Sequence, residues 1–500
     1  MRRCLSAALV LGVLAGAGCG GDDSGSALDS ALAFLPKDAT FVVAFDTDVD
    51  GEQFKALGAL IDKFPFGDQL KASLRQQIEQ SANGVRFDDD VKPILGNPLV
   101  VGAATADTIT GDSSSFVTAI KANDRGKRDD LIEKAKLKKI GEASGASLYS
   151  GGGTFLAVKD DLTVAANNEA ELKQALERAD GDDHFDEDTF NEGLDGLPES
   201  ALARVYADVE ALLKADPDTA DARRVNWIAA LRTLGLTASA KRDSIDIDFR
   251  LRSEGDLDDE DLPIAPGGDA PPVIKRDGEV GLGIRDLAHI VTFAENAAQA
   301  IDPAGFGDYA QAKKTIDKQL GVSLDDDLIR QLTGNLSATV SIGGDFGVRS
   351  ELKDPRAFER TLAKVADVLP SFAEGAGFGT VGLSKPKAGG DFYALAQPDG
   401  DTVIFGVVDD ALVVASDARR AGRLAAENPT AVEGANGSVV LNADAQRIVN
   451  TLLQQFGPAF GLPDLGGLGA GLLTSSLGDL TGHVEASQDE LRGKLKLAIE

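Results

Sequence analysis

The sequence predicts an α+β protein built from two tandem homologous repeats, with largely antiparallel sheets covered by helices. Three observations lead there. Short apolar strand segments alternate with amphipathic helical text along the whole chain. Several of those strands are joined by tight hairpins, which favours antiparallel pairing. The order of segments then recurs at an offset of about 236–250 residues.

Thr40–Asp46 (TFVVAFD) reads as a strand followed by a helix, and Glu279–Asp286 (EVGLGIRD) repeats this with a helix running on to Ile301. Phe87–Val91 (FDDDV) precedes the strand Leu99–Thr105, as Leu324–Leu328 (LDDDL) precedes the strand Leu336–Ile342. A strand at Phe116–Lys121 leads into a helix at Lys127–Lys136. Its counterpart is Gly347–Lys353 leading into Pro355–Asp367. Val158–Ala165 (VKDDLTVA) and Val408–Ala415 (VDDALVVA) each read as a hairpin turning at Asp-Asp before a helix, the first being Glu169–Arg178. Ala203–Asp208 and Val439–Asp444 are strands with a helix after each. Each half closes on two strands, and in the first the apolar Ile245, Ile247, Phe249 and Leu251 alternate with charged residues, a period of two that gives one buried face.

The first nineteen residues carry a different signal. Arg2 and Arg3, an apolar run from Leu5 to Leu14 and the small residues Ala15–Gly18 form a secretory signal peptide over residues 1–18. The run is too short to span a bilayer. Cys19 after small residues resembles the lipobox of bacterial lipoproteins, in which that thiol is acylated, although Gly16 stands where Leu is usual. Cys19 is therefore the expected lipidation site, and the outer face of the bacterial cell membrane the expected location. Residues 19–34, rich in Gly, Ser, Asp and Ala, read as a flexible tether reaching ~20 Å over about fourteen residues. Repeat 1 then spans 35–254, an acidic Pro/Gly linker 255–275, and repeat 2 276–500.

Length and charge narrow the function. At 500 residues the chain exceeds one ordinary domain, and its 43 % hydrophobic content is enough for sizeable cores. The only cysteines are Cys4 and Cys19, so no disulfide is expected in the mature protein. Formal net charge is −31. Without Arg2 and Arg3, 48 Lys and Arg face 81 Asp and Glu, giving −33. That field repels nucleic acid and anionic lipid headgroups and favours solubility. The expected partner is the membrane, reached through the N-terminal lipid, with no nucleic acid. A single tryptophan, Trp227, reads as core rather than as a sugar-stacking platform.

Leu35-Pro36-x-x-Ala39 before an apolar strand, FDDDVKPILG at Phe87–Gly96 and the Asp-Asp hairpin resemble the bacterial envelope proteins grouped as domain of unknown function 3352. The resemblance covers most of the mature chain, with Ile94 where members usually carry Trp. It implies the architecture and an exported location. It implies no catalytic residue, ligand or cofactor.

No constellation in the chain points to chemistry. Asp46-Thr47-Asp48-Val49-Asp50-Gly51 matches the first half of an EF-hand loop, but Leu57 stands where a bidentate Glu is required, so helix-capping turn residues are expected. Asp88–Asp90 and Asp325–Asp327 read as N-cap and first-turn acids. The acid run Asp180–Asp188 around His184 reads as a solvated loop. His184, His289 and His483 lie far apart and lack HxH or HExxH partners, so neither metal nor histidine catalysis is expected. Ser384-Lys385-Pro386-Lys387 fits SxxK by letters, but Pro386 breaks the helix that would bring Lys onto Ser. The reading is a non-enzymatic, lipid-anchored binding or scaffold protein without cofactor. The alternative is a carrier or sensor of a hydrophobic ligand, held under the Gly457–Ser476 loop through Phe460, Leu462, Leu468, Leu472 and Leu473.

Overall fold

The structure is a computed structural model and describes residues 26–81, 84–103, 115–274, 279–375, 382–384, 392–396, 402–456 and 474–500. The chain is α+β with antiparallel strand pairing. It divides into two compact units: residues 1–220, 231–252 and 498–500, and residues 221–230 and 253–497. The main division falls between residues 252 and 253. The exchanged pieces, 221–230 and 498–500, have no compositional mark.

In the first unit the strands are β1 (Phe41–Phe45), β2 (Leu99–Ala103), β3 (Phe116–Lys121), β4 (Lys138–Ala143), β5 (Ala146–Gly151), β6 (Thr154–Lys159), β7 (Leu162–Ala166), β8 (Ala203–Asp208), β9 (Leu231–Ala240) and β10 (Ser244–Ser253). β1 lies between β2 and β8, with Val43 opposite Val101 on one side and Val205 on the other. Outward from β2 come β3, β7, β6, β5 and β4. Outward from β8 come β9 and β10. The β6–β7 turn places Asp160 at φ 53°, a left-handed position that Asp tolerates better than most side chains.

Both faces of this sheet are covered. One carries Val42, Val100, Val117 and Val164 under the helices Ala27–Leu32, Glu169–Ala179 and Glu187–Gly193. The other carries Leu99, Ile120 and Leu156 under Val91, Ile94 and Leu95. Two-sided burial explains why β1 and β2 carry no polar side chain.

Two expectations need correction. The tether is not free along its whole length, because Ala27–Leu32 is a helix with Leu28, Ala31 and Leu32 buried in the first core. Ser26 caps it by accepting a hydrogen bond from the Asp29 amide at 3.0 Å. The stretch read as linker is also packed: Leu257, Leu262, Ala265, Val273 and Ile274 are buried, and Val273 bridges to Thr430.

FDDDV forms a single π-helical turn at Phe87–Val91, followed by a 3-10 turn at Lys92–Ile94. Asp88 and Asp89 stay at the surface as expected, but Asp90 turns inward. Its carboxylate accepts from the Lys134 ammonium at 2.5 Å and from the Arg86 amide at 2.9 Å. Burial pushes its pKa up, yet Lys134 and the Arg86 amide outweigh burial and hold it below the usual Asp value. A folded-state pKa below the unfolded one means the contribution is present above the unfolded pKa and fades as pH falls through the folded value. Asp90→Asn should therefore cost about 1–3 kcal/mol at neutral pH, and the deficit should shrink below about pH 4. Urea unfolding of both proteins at pH 7 and pH 3 checks this. A deficit equal at both pH values would refute it.

In the second unit the strands are β11 (Glu279–Arg285), β12 (Asn335–Ser341), β13 (Phe346–Glu351), β14 (Gly382–Ser384), β15 (Tyr393–Ala396), β16 (Thr402–Val408), β17 (Ala411–Ala415), β18 (Val439–Asp444), β19 (Leu477–Ala486) and β20 (Glu490–Ile499). β11 lies between β12 and β18. Outward from β12 come β13, β17, β16, β15 and β14, and outward from β18 come β19 and β20. Ile274, Ile404, Val413, Ala421 and Leu424 form its core beneath the helix Ala418–Ala426. LDDDL is again a π-helical turn, Leu324–Leu328, followed by a 3-10 turn. Asp327 accepts from the Ser323 amide at 2.9 Å, as Asp90 does from Arg86. Trp227 is buried in this unit, as its solitary occurrence in helical text suggested.

Candidate functional site

The strongest candidate lies in the second unit, where the helices Leu287–Ile301 and Pro303–Leu320 meet through one residue, Asp302. The first helix starts at Asp286, whose side chain accepts from the His289 amide at 3.1 Å. Asp302 caps the second, accepting from the Gly305 amide at 3.0 Å, with Pro303 at the first helical position where its missing N–H costs nothing. Between the helices runs a groove of about 690 Å³ lined by Ile290, Val291, Ala294, Ala298 and Phe306. Ile301 and Tyr309 also line it, at 37 % and 46 % exposure, high values for large side chains. The first helix carries an apolar face, but of its residues only Ala288 is fully buried.

A polar network stiffens one wall. The Tyr309 hydroxyl and the Lys313 ammonium each donate to Glu295 Oε1 at 2.7 Å. Lys313 also pairs with Asp325 and lies 5.7 Å from the Tyr309 ring centre. Burial alone would lower the Lys313 pKa, but Asp325 and Glu295 overcome it and raise that pKa, so the ammonium stays charged. The hydrogen bond to Glu295, with burial second, holds the Tyr309 phenol above its usual value. Glu295→Ala should therefore loosen both helices, costing about 1–3 kcal/mol for the two lost charge-assisted bonds. Thermal unfolding of the variant measures that cost, and an unchanged melting temperature would show the network to be idle.

The family described as "protein of unknown function (DUF3352)" matches residues 4–371, well over half of the chain. The chain belongs to this family. No curated protein matches it. Among solved structures, crystal forms III, IV and I of TP0453 align at 10 %, 10 % and 11 % identity. They cover 46 %, 44 % and 46 % of this chain and 82 %, 80 % and 80 % of theirs, each with a TM-score of 0.26. That likeness is too slight to carry an argument.

In this DUF3352 protein the residues singled out from sequence do not converge. Cys19, Phe460, Leu462, Leu468, Leu472 and Leu473 lie outside the described residues, as do Lys385–Lys387. The Asp46–Gly51 segment is a turn whose carboxylates are engaged locally. Asp46 accepts from the Asp48 amide at 2.9 Å, Asp48 from the Asp50 amide at 3.1 Å, and Asp50 from Lys92 at 3.0 Å. The Thr47 hydroxyl donates to the Asn97 carbonyl at 2.5 Å and docks the turn on LGN. Burial, with the nearby Asp48 charge, raises the Asp46 pKa. Among the described residues no group of three or more His, Cys, Asp or Glu could hold a metal ion. His184 faces the Phe185 carbonyl at 3.2 Å and His289 the Leu262 carbonyl at 2.9 Å, while His483 sits in β19 opposite Val440. The Asp180–Asp188 run is less solvated than its charge suggests. Phe185 is fully buried and Asp186 caps the helix Glu187–Gly193. Sequence reasoning missed the groove, because an apolar face on Leu287–Ile301, with His289, Thr292, Glu295, Asn296 and Gln299 gathered on the other side, reads as an ordinary core-facing helix.

Proposed function

We propose that this protein is a non-enzymatic, lipid-anchored extracytoplasmic binding protein that seats an apolar ligand between the helices Leu287–Ile301 and Pro303–Leu320. The observation that carries the reading is the groove itself, which offers hydrocarbon to a ligand over most of its lining. Its carboxylates are already engaged, Glu295 by Tyr309 and Lys313 and Asp302 as a helix cap, which leaves them poorly placed for acid–base work. The hydrophobic-ligand reading first attached to the Gly457–Ser476 loop thereby gains a second location. Displacement of a fluorescent apolar probe by dodecanol from the full mature protein tests it. Ala298→Trp puts an indole into the groove and should weaken dodecanol at least about tenfold, the loss of roughly one buried side chain's worth of contact. Absence of dodecanol binding, or equal binding by Ala298→Trp, overturns the reading.

The two halves are proposed to descend from one duplicated unit. In support, β1 to β10 and β11 to β20 follow the same order of neighbours, and each Asp-rich π-helical turn precedes the strand beside the central one. A profile built from residues 35–254 of relatives should retrieve residues 276–500 with the Asp-rich turns in register. Retrieval out of register, or none, would mean that two unrelated sheets share an order.

A further inference from the structure

We propose that the groove is selective for an acyl-chain amphiphile with an ammonium headgroup and rejects fatty acids and other anionic amphiphiles; this rests on the apolar-ligand reading above. The groove's lining holds two carboxylates, Glu295 and Asp302, and no Lys, Arg or His. The nearest cation on the second helix, Lys313, has 11 % of its side chain exposed and is held by Glu295 and Asp325 together. Arg224 reaches the end of the first helix, where it donates to the Ile301 carbonyl at 3.1 Å, but it is paired with Asp221 at 2.9 Å. An anionic head brought to the Asp302 end of the groove thus meets a like charge, and the one guanidinium beside it, Arg224, is shared between Asp221 and the Ile301 carbonyl. Beside hydrocarbon walls that opposition is felt more strongly than in bulk water. An ammonium head meets the opposite situation. Asp302 spends Oδ1 on the Gly305 amide and lies exposed at the helix junction, next to exposed Ile301. A chain lying along Val291, Ala294 and Ala298 would bring its head to that carboxylate. The preference therefore comes from where the acids stand relative to the apolar lining, and not from the protein's net charge alone.

The experiment compares dodecylamine, dodecanol and dodecanoate at pH 7, below their micelle concentrations, as displacers of a bound fluorescent apolar probe from the full mature protein. Dodecylammonium should bind about tenfold tighter than dodecanol, with dodecanoate weakest. Asp302→Asn keeps a good helix cap while removing the charge. It should erase most of the amine preference, read as the ratio of dodecylamine to dodecanol affinity in the same variant. Glu295→Gln is the second variant, with a smaller loss expected because Glu295 already serves Lys313 and Tyr309. Dodecanoate binding as tightly as dodecylamine overturns the proposal. So does an amine preference that survives both substitutions, since it would then reflect the mature protein's overall charge of −33. Failure of all three displacers overturns the apolar-ligand reading as well, whereas dodecanol binding without amine preference overturns only the selectivity.

Discussion

Cys19→Ser should move the protein from the detergent phase to the aqueous phase almost completely. Little else among the described residues is suited to hold a membrane. The apolar run Leu5–Leu14 belongs to the segment expected to leave on export. No helix among the described residues is long and apolar enough to cross a bilayer. A net charge of −31 opposes adsorption to anionic headgroups. One acyl chain gives marginal, reversible binding, whereas two or more on a single terminal cysteine give stable anchoring. The effect is thus close to all-or-none. Phase partitioning of wild type and variant in a cloud-point detergent, with mass spectrometry of the N-terminal peptide, measures it. A Cys19→Ser protein that stays in the detergent phase would refute anchoring through this residue.

What could be read from the residues depended on whether the signal was local. The Asp-Asp hairpins were legible because Asp tolerates the left-handed backbone that such a turn demands, and Asp160 and Asp409 adopt φ 53° and 54°. β10 was legible because it alternates, and β1 because TFVVAFD has the length and β-branched content of a buried strand. The helix Ala27–Leu32 was not, because it lies in Gly/Ser/Asp text and its stability comes from burying Leu28 and Leu32. The stretch from Leu257 to Ile274 misled for the same reason. Acids, Pro and Gly mark irregular backbone, but irregular backbone can still bury Leu262 and Val273. The groove was half legible. The single apolar face of Leu287–Ile301 suggests a helix packed on a core, and only the fold leaves Ala294 and Ala298 on that face uncovered. Asp90 could not be told from Asp88 and Asp89 by composition, since its inward turn depends on Lys134, which is distant in sequence.

Arg420→Met should lower the stability of the second unit by about 3–5 kcal/mol, a shift on the order of 10 °C in its melting transition. Arg420 comes from the helix Ala418–Ala426 and its guanidinium meets Glu279 Oε1 of β11 at 2.6 Å. Only 5 % of the Arg420 side chain and 11 % of the Glu279 side chain are exposed, so neither charge can turn to water. Asp345 at 3.7 Å and Asp417 at 3.8 Å add weaker attraction from the rim. Glu279 Oε2 has no hydrogen-bond partner among the described residues, so Arg420 is the main compensation for burying that carboxylate. Deleting the cation leaves an uncompensated buried charge, which costs more than the pair itself contributes. The double variant Glu279→Leu with Arg420→Met removes both charges and should recover most of the loss, because an apolar pair needs no counter-ion. Scanning calorimetry of the two single variants and the double one gives the coupling energy directly. A single variant costing under about 1 kcal/mol would mean that water reaches Glu279 and that the pair behaves as a surface bridge. A double variant less stable than Arg420→Met alone would mean that the site depends on the shape of these side chains and not on their charge.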